Sequence, residues 1–213
     1  MTDWEDRLSF GQSMIPRLSY SMCLFFVRII SGNLRGRALF VPKGQKIRPT
    51  SDQVKETLFN MLGGRVTHAT VLDLFAGSGN VGLEALSRGA AQVVFVEKNP
   101  AHAQVITRNL RACRVESGSV VYCRDANKIL RVLSKADRTF DIIFLDPPYR
   151  QTNMLSDMLL GIGLYTLLSD TGQLVVEHAR AFAPPPIVRN SLTQTKQRRI
   201  GDTVLSFYQP VRE

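Results

Sequence analysis

From Thr70 onward, short apolar runs alternate with amphipathic stretches along the chain. TVLDLF (70–75), AQVVFVE (91–97), SVVYC (119–123), FDIIFLD (140–146) and GQLVVEH (172–178) are rich in β-branched residues and have strand length. Between them, 79–88, 100–112, 126–133 and 154–161 read as helices, and Pro100 opens the second of these. Strands that are apolar on consecutive positions suit a parallel sheet covered on both faces. The end of the chain differs: QRRI, Gly201-Asp202 and TVLSFYQ form an antiparallel hairpin pattern. The pattern predicts an α/β fold, with a mostly parallel seven-stranded sheet and an antiparallel last strand.

Upstream, the pattern is of another kind. Phe26 to Val41 reads as a β-hairpin around SGNLRG, followed by the basic loop PKGQKIRPTSD. Ser51 or Asp52 can cap a helix that places Val54, Leu58, Met61 and Leu62 on one face and ends at Gly63-Gly64. Leu58, Phe59 and Met61 read as packing residues. Residues 1–25 show no clear period and read as a weakly structured extension, or as the product of an upstream start codon. The expected division is 1–25 extension, 26–65 basic hairpin and helix, and 66–213 catalytic domain.

Charge sharpens this division. The chain of 213 residues has a formal net charge of +9. Residues 28–65 carry eight basic and two acidic side chains, residues 180–213 six and two, and residues 66–179 eleven of each. Basic flanks around a neutral middle suit arms that grip phosphate, although they could also serve solubility alone. Three cysteines, Cys23, Cys113 and Cys123, lack CxxC spacing. They provide neither a zinc set nor a disulfide framework, and read as small buried hydrophobes in a reducing cytoplasm. The apolar run Met22–Val27 is too short to span a bilayer.

The first strand of the alternating part ends in Asp73-Leu74-Phe75-Ala76-Gly77-Ser78-Gly79-Asn80-Val81-Gly82. Gly77, Gly79 and Gly82 make a G-x-G-x-x-G turn into a helix, where backbone can approach a ligand closely. Glu97 ends the second strand, where a carboxylate can accept from both ribose hydroxyls. A nicotinamide dinucleotide and S-adenosylmethionine both present such an adenosine. Asp73 tilts the choice: it would repel a pyrophosphate and attract the ammonium of a methionyl group. Asp125, beside apolar Ala126 after the third strand, can accept from an adenine amino group. The competing reading makes Asp73, Glu97 and Asp125 caps for the helices that follow.

The fourth strand ends in Asp146-Pro147-Pro148-Tyr149. An exocyclic amine on a base is a poor nucleophile, because its lone pair is delocalised into the ring. The Asp146 carboxylate and the Pro147 carbonyl can accept both N–H protons and aim the lone pair at an activated methyl. Pro147 and Pro148 stiffen the carbonyl direction, and Tyr149 offers a flat face to a splayed base. The motif could otherwise be a turn closing a buried strand; its place downstream of the glycine loop favours chemistry.

These blocks resemble the bacterial 16S ribosomal RNA guanine-N2 methyltransferases that modify guanine 966. RIISGNLRGRALFVP, RPTSDQVKETLFNML, VLDLFAGSGNVGLEALSRGA, DIIFLDPPY, LVVEH and RRIGDTVLSFY match the family's blocks in order. The resemblance implies a class I methyltransferase (Rossmann-like) fold and S-adenosylmethionine held by Asp73, Phe75, Ala76, Gly77, Ser78 and Gly79, with Glu97, Asp125 and Ala126. It implies catalysis by Asp146, Pro147, Pro148 and Tyr149. It gives the flanks a substrate, 16S ribosomal RNA, free or within an assembling subunit. Arg28, Arg35, Arg37, Lys43, Lys46 and Arg48 would meet its phosphates, with Thr50 close to the cofactor and Lys196, Arg198 and Arg199 extending the surface. Lys55 departs mildly from the family, which more often has arginine there. The expected enzyme is a cytoplasmic monomer with no metal. A DNA adenine-N6 methyltransferase remains the alternative, since it would use the same DPPY chemistry. His68 and His102 read as lone surface residues, and His178 as structural rather than substrate-contacting.

Overall fold

A computed structural model describes residues 26–42, 50–147 and 152–211. The expectations placed on 1–25, Cys23, Lys43, Lys46, Arg48, Pro148 and Tyr149 lie outside the described residues. The N-terminal hairpin pairs β1 (Phe26–Arg28) with β2 (Ala38–Phe40), in antiparallel register. Helix α1 (Asp52–Leu62) follows. Ser51 is its N-cap and accepts from the Val54 amide, and the chain leaves it at Gly63 with φ 56°.

The alternating part then runs β3 (Thr70–Leu74), α2 (Asn80–Ser87), β4 (Gln92–Glu97), α3 (Pro100–Ala112), β5 (Ser119–Cys123), α4 (Ala126–Lys135), β6 (Phe140–Leu145), α5 (Thr152–Leu164) and β7 (Leu168–Ala179). It closes with β8 (Ile187–Val188), β9 (Leu192–Ile200) and β10 (Thr203–Pro210). One sheet takes the order β5-β4-β3-β6-β7-β10-β9-β8. The first five strands in that order are parallel, and the C-terminal hairpin joins β7 antiparallel through β10. The sheet therefore has eight strands, where the pattern predicts seven. The addition, β8, is two residues long, so it has no period to detect.

Two apolar layers sandwich the sheet. On one face Val54, Leu58, Phe59 and Leu62 of α1, Ala85 of α2 and Ile106 of α3 pack on Val71, Val93, Ile142 and Val175. On the other, Ile129, Leu130 and Leu133 of α4 and Leu155, Met158 and Ile162 of α5 cover Leu72, Val94, Ile143 and Leu174. Each such buried aliphatic side chain is worth roughly 1.5–3 kcal/mol of transfer free energy. The hairpin and α1 share the first layer with the sheet, so they pack as part of the same core.

Polar groups fasten the hairpin. The buried Glu84 of α2 accepts from the Ile30 amide at 2.8 Å and the Ser31 amide at 3.0 Å, and from Arg88 Nε at 2.9 Å. Lys55, fully buried, donates from Nζ to the Arg28 carbonyl at 2.6 Å and to Asn80 Oδ1 at 2.9 Å, and lies 3.9 Å from Glu84 Oε2. Burial lowers its proton affinity, against the pull of Glu84 and Asp52. Asn109 of α3 exchanges two hydrogen bonds with the Phe40 backbone and donates to the Ser78 carbonyl.

Close packing explains one glycine. A Cβ on Gly82 would lie 2.2 Å from Phe95 Cε1, whereas one on Gly64 meets nothing within 4 Å. Gly82→Ala is expected to lower unfolding stability by about 2–3 kcal/mol through overpacking, and Gly64→Ala to leave it within about 0.5 kcal/mol. Denaturant titrations of the two variants check this.

Candidate active site

Between β3 and β6 the sheet changes its direction of winding. The chain leaving β3 turns to the face that carries α2 and α3, and the chain leaving β6 to the face that carries α5. Loops part at such a switch point and leave a crevice at the strands' carboxyl ends. Asp73 and the 75–79 loop form one wall, and Asp146-Pro147 stands on the other.

The glycine loop is tightly wound. Phe75, Gly77 and Gly79 all have positive φ, at 65°, 56° and 78°. A bulky residue such as Phe75 adopts this conformation only when its surroundings enforce it, at a cost on the order of 1–3 kcal/mol. The Ala76 amide bonds to the Val96 carbonyl at 2.9 Å and the Gly79 amide to the Ala76 carbonyl at 2.7 Å, which hold the turn. Gly79 is the residue before α2, and a Cβ there would crowd Ile106 and Phe95.

Glu97 sits at the tip of β4. Its Oε2 accepts from the Gly77 amide at 3.0 Å and its Oε1 from the Asn99 amide at 2.8 Å. Both oxygens are thereby fixed beside the glycine loop, and each keeps a second lone pair for a ligand hydroxyl. His102 lies 3.8 Å from Glu97 Oε1 and is buried, so the expectation of a surface position is corrected. It is the third residue of α3, and that helix's first turn folds back under Glu97. His68 is exposed as expected, while Cys123 is exposed and Cys113 buried. Cys123 ends a strand at the sheet edge, which the reading as a buried hydrophobe could not anticipate.

Asp73 is almost entirely buried, and its Oδ2 accepts from the Gly82 amide at 3.0 Å. Burial, with Glu97 adding repulsion, pushes its carboxyl up to about 7 despite that bond. Asp125 is the N-cap of α4: its Oδ1 accepts from the Asn127 amide at 3.0 Å and the Lys128 amide at 3.4 Å. The capping role raised as a competing reading is thus what Oδ1 of Asp125 does. Ala126 is buried beside it.

Asp146 follows β6, half-buried, and its proton affinity is raised well above the ordinary carboxylate range by burial and by Glu177 and Asp73. Glu177, near the end of β7, was not singled out from the sequence. It is buried, and its Oε2 accepts from the Thr50 hydroxyl at 3.5 Å. The available signal was its place at the tip of a parallel strand next to Asp146. The neighbouring His178 is structural: Nδ1–H donates to the Ala179 carbonyl at 2.9 Å, and Nε2 accepts from Ser206 Oγ at 2.8 Å. Its burial lowers its proton affinity.

The basic residues divide by position. Thr50 reaches the crevice, and its carbonyl accepts from Asn80 Nδ2 at 3.2 Å. Arg28, exposed, pairs with Asp52 at the start of α1, near the same rim. The Arg35 turn packs against Ser87, and Arg37 donates to the Ala112 carbonyl at 3.1 Å. Ser87 is the last residue of α2, whereas Ala112 lies one turn beyond Asn109, which itself donates to the Ser78 carbonyl of the glycine loop. Arg35 therefore sits at the far end of α2, while Arg37 pairs with Ile29 in the hairpin, next to Arg28. Lys196, Arg198 and Arg199 lie exposed on β9, two strands beyond β7.

Among the described residues no group of His, Cys, Asp and Glu is arranged to hold a metal ion, and no helix is long and apolar enough to cross a membrane. The acids instead suit an organic cation with hydroxyls. Glu97 faces the glycine loop, Asp73 is a buried carboxylate that a positive group would ionise, and Asp125 stands at the third strand's end.

Known proteins resemble this chain in sequence and in fold. A Bacillus subtilis protein named "Putative rRNA methyltransferase YlbH" is 38% identical over 182 residues, covering 85% of this chain and 98% of that protein. Ribosomal RNA small subunit methyltransferase D of Escherichia coli is 39% identical over 151 residues, 71% of each chain. The solved structure described as "Putative methyltransferase yhhF from Escherichia coli" superposes with a TM-score of 0.76 at 31% identity, covering 89% of this chain and 100% of that one. The sequence profile described as conserved hypothetical protein 95 matches residues 27–209. With both the crevice and the hairpin inside that span, the chain belongs to the conserved hypothetical protein 95 family.

Proposed function

We propose that this protein is an S-adenosylmethionine-dependent methyltransferase acting on ribosomal RNA, and that its target is the N2 amine of a guanine in the small-subunit RNA, guanine 966 by the family resemblance. The observation that carries this reading is the meeting of Asp146-Pro147 with the Asp73–Glu97 crevice at one switch point. The alternative, a DNA adenine-N6 methyltransferase, finds no support: the relatives at 38% and 39% identity bear ribosomal RNA names.

When bound, S-adenosylmethionine supplies a sulfonium methyl that passes to N2 as its C–S bond breaks, leaving S-adenosylhomocysteine and releasing one proton. Glu97 would take the ribose hydroxyls, while Asp73 would take the ammonium. With Oδ1 of Asp125 engaged in capping α4, the adenine amine would meet its Oδ2. The Asp146 carboxylate and the Pro147 carbonyl would accept the two N2 protons and turn the lone pair toward the methyl. The raised proton affinity of Asp146 also suits it to take up the proton released. The work is positioning and electrostatics, without a covalent enzyme intermediate.

The acid crevice repels phosphate, so the RNA backbone has to stay on the basic rim while one base enters. Arg28 would hold it near the crevice, with Lys43, Lys46 and Arg48 as further proposed phosphate contacts. Arg37 would contact it beside Arg28, and Arg35, at the far end of α2, fits a folded RNA element that extends beyond the target nucleotide. A cytoplasmic monomer acting on an assembling subunit is the setting we propose.

Three outcomes are expected. Methyl transfer to small-subunit particles or their RNA exceeds transfer to duplex DNA, and RNA from cells lacking the protein loses one N2-methylguanine on mass mapping. Loss of an adenine methyl mark in genomic DNA instead would overturn the reading. Asp146→Ala lowers single-turnover transfer at least about a hundredfold while donor affinity by calorimetry stays within about threefold. Donor binding needs Asp73 ionised, so affinity rises with pH through about 7. Between pH 5.5 and 7 the gain is about fifteenfold, and Asp73→Asn flattens the profile.

A further inference from the structure

We propose that Glu177 reads the ring N1–H of the target guanine, and so rejects any base whose ring nitrogen beside the amine carries a lone pair. The proposal rests on the guanine-N2 reading above and deepens it.

The placement comes from strand register. Leu145 of β6 pairs with Val176 of β7 in parallel register, so the next residues, Asp146 and Glu177, stand side by side at the sheet's carboxyl edge. Adjacent strands are about 4.8 Å apart, and the pleat points in-register neighbours to the same face. That face is the one α1 covers, because Phe144 and Val175, two residues earlier, belong to the layer with Leu58 and Phe59. Glu177 is only 4% exposed. The hydroxyl of Thr50, just before α1, donates to its Oε2 at 3.5 Å and orients it. Glu177 also raises the proton affinity of Asp146, so the two carboxylates share one environment.

Guanine presents N2–H2 and N1–H as adjacent donors on one edge. With the N2 protons on Asp146 and Pro147, the next acceptor along the edge is needed for N1–H, and the neighbouring strand supplies Glu177. A carboxylate accepts and cannot donate when ionised. Adenine places a lone pair on N1 beside its amine, and 2-aminopurine does the same beside its C2 amine. Each would set a lone pair against a buried anion. Accepting from N1–H also pushes electron density into the ring, which makes N2 a better nucleophile.

The test compares small-subunit RNA ligated with guanosine, or with 2-aminopurine riboside, at the nucleotide the wild-type enzyme methylates. Single-turnover rates are measured on the two RNAs with one protein sample, so any unfolded fraction cancels in their ratio. The wild-type ratio of guanine to 2-aminopurine is expected to be at least about a hundredfold. Glu177→Gln gives an amide that can donate to the N1 lone pair, and lowers the ratio at least tenfold as transfer to 2-aminopurine rises. Thr50→Val, which frees the Glu177 side chain, lowers it several-fold. If Glu177→Gln slows both substrates in parallel and leaves the ratio unchanged, Glu177 is structural and the proposal fails. If the wild-type enzyme transfers no methyl to guanine, the functional reading fails, and this proposal with it.

Discussion

Like-charge crowding at the tips of three adjacent strands is the constraint around which this protein is built. Asp73, Asp146 and Glu177 stand at the carboxyl ends of β3, β6 and β7, neighbours in the sheet, with Asp73 and Glu177 buried and Asp146 half-buried. On top of its burial, Glu177 and Asp73 both raise the cost of ionising Asp146. Such a cluster is poorly disposed toward an anion and well disposed toward a cation or a set of N–H donors. The proposed substrates fit both halves of that statement, a cationic donor and the N–H edge of a base, while the RNA's phosphates are left to the flanks.

The hairpin and α1 make the crevice one-sided. Their attachment is polar and buried: Glu84 holds two hairpin amides, Lys55 ties the Arg28 carbonyl to Asn80, and Asn109 ties β2 to Ser78. Asn80 and Ser78 belong to the turn that opens α2, so the basic arm and the glycine loop share their fasteners. Removing one partner from such a network leaves a buried group unsatisfied, which costs more than the bond itself contributes. This fixes Thr50 beside Glu177 and so joins the N-terminal arm to the crevice.

The positions of the arginines change how the flanks are understood. Net charge along the chain marks 28–65 as one basic segment, yet its members separate in space. Arg28 stays near the rim, Arg37 beside it on the paired strand reaches the end of α3 through the Ala112 carbonyl, and Arg35 lies in the turn at the end of α2. A cation at a helix C-terminus is also favoured by the dipole, so Arg37 has a structural task beside any contact with RNA. Arg108, unremarked in the sequence, stacks 3.5 Å over the Phe40 ring on the same side.

Much was legible before folding. The β-branched runs located the parallel strands to within a few residues, Ser51 and Gly63 bounded α1, and the glycine spacing located the tight loop, because these are local preferences of backbone and side chain. The tips Asp73, Glu97, Asp125 and Asp146 could be named because parallel strands all deliver their last residues to one edge. What only the tertiary structure decided depends on contacts between distant segments. Strand register set Glu177 beside Asp146, helix packing buried His102, and the docking of the hairpin sent Arg35 to the far end of α2. A residue's type and spacing state what it can do, whereas its neighbours across the sheet, more than a hundred residues away for Thr50 and Glu177, determine whether it is placed to do it.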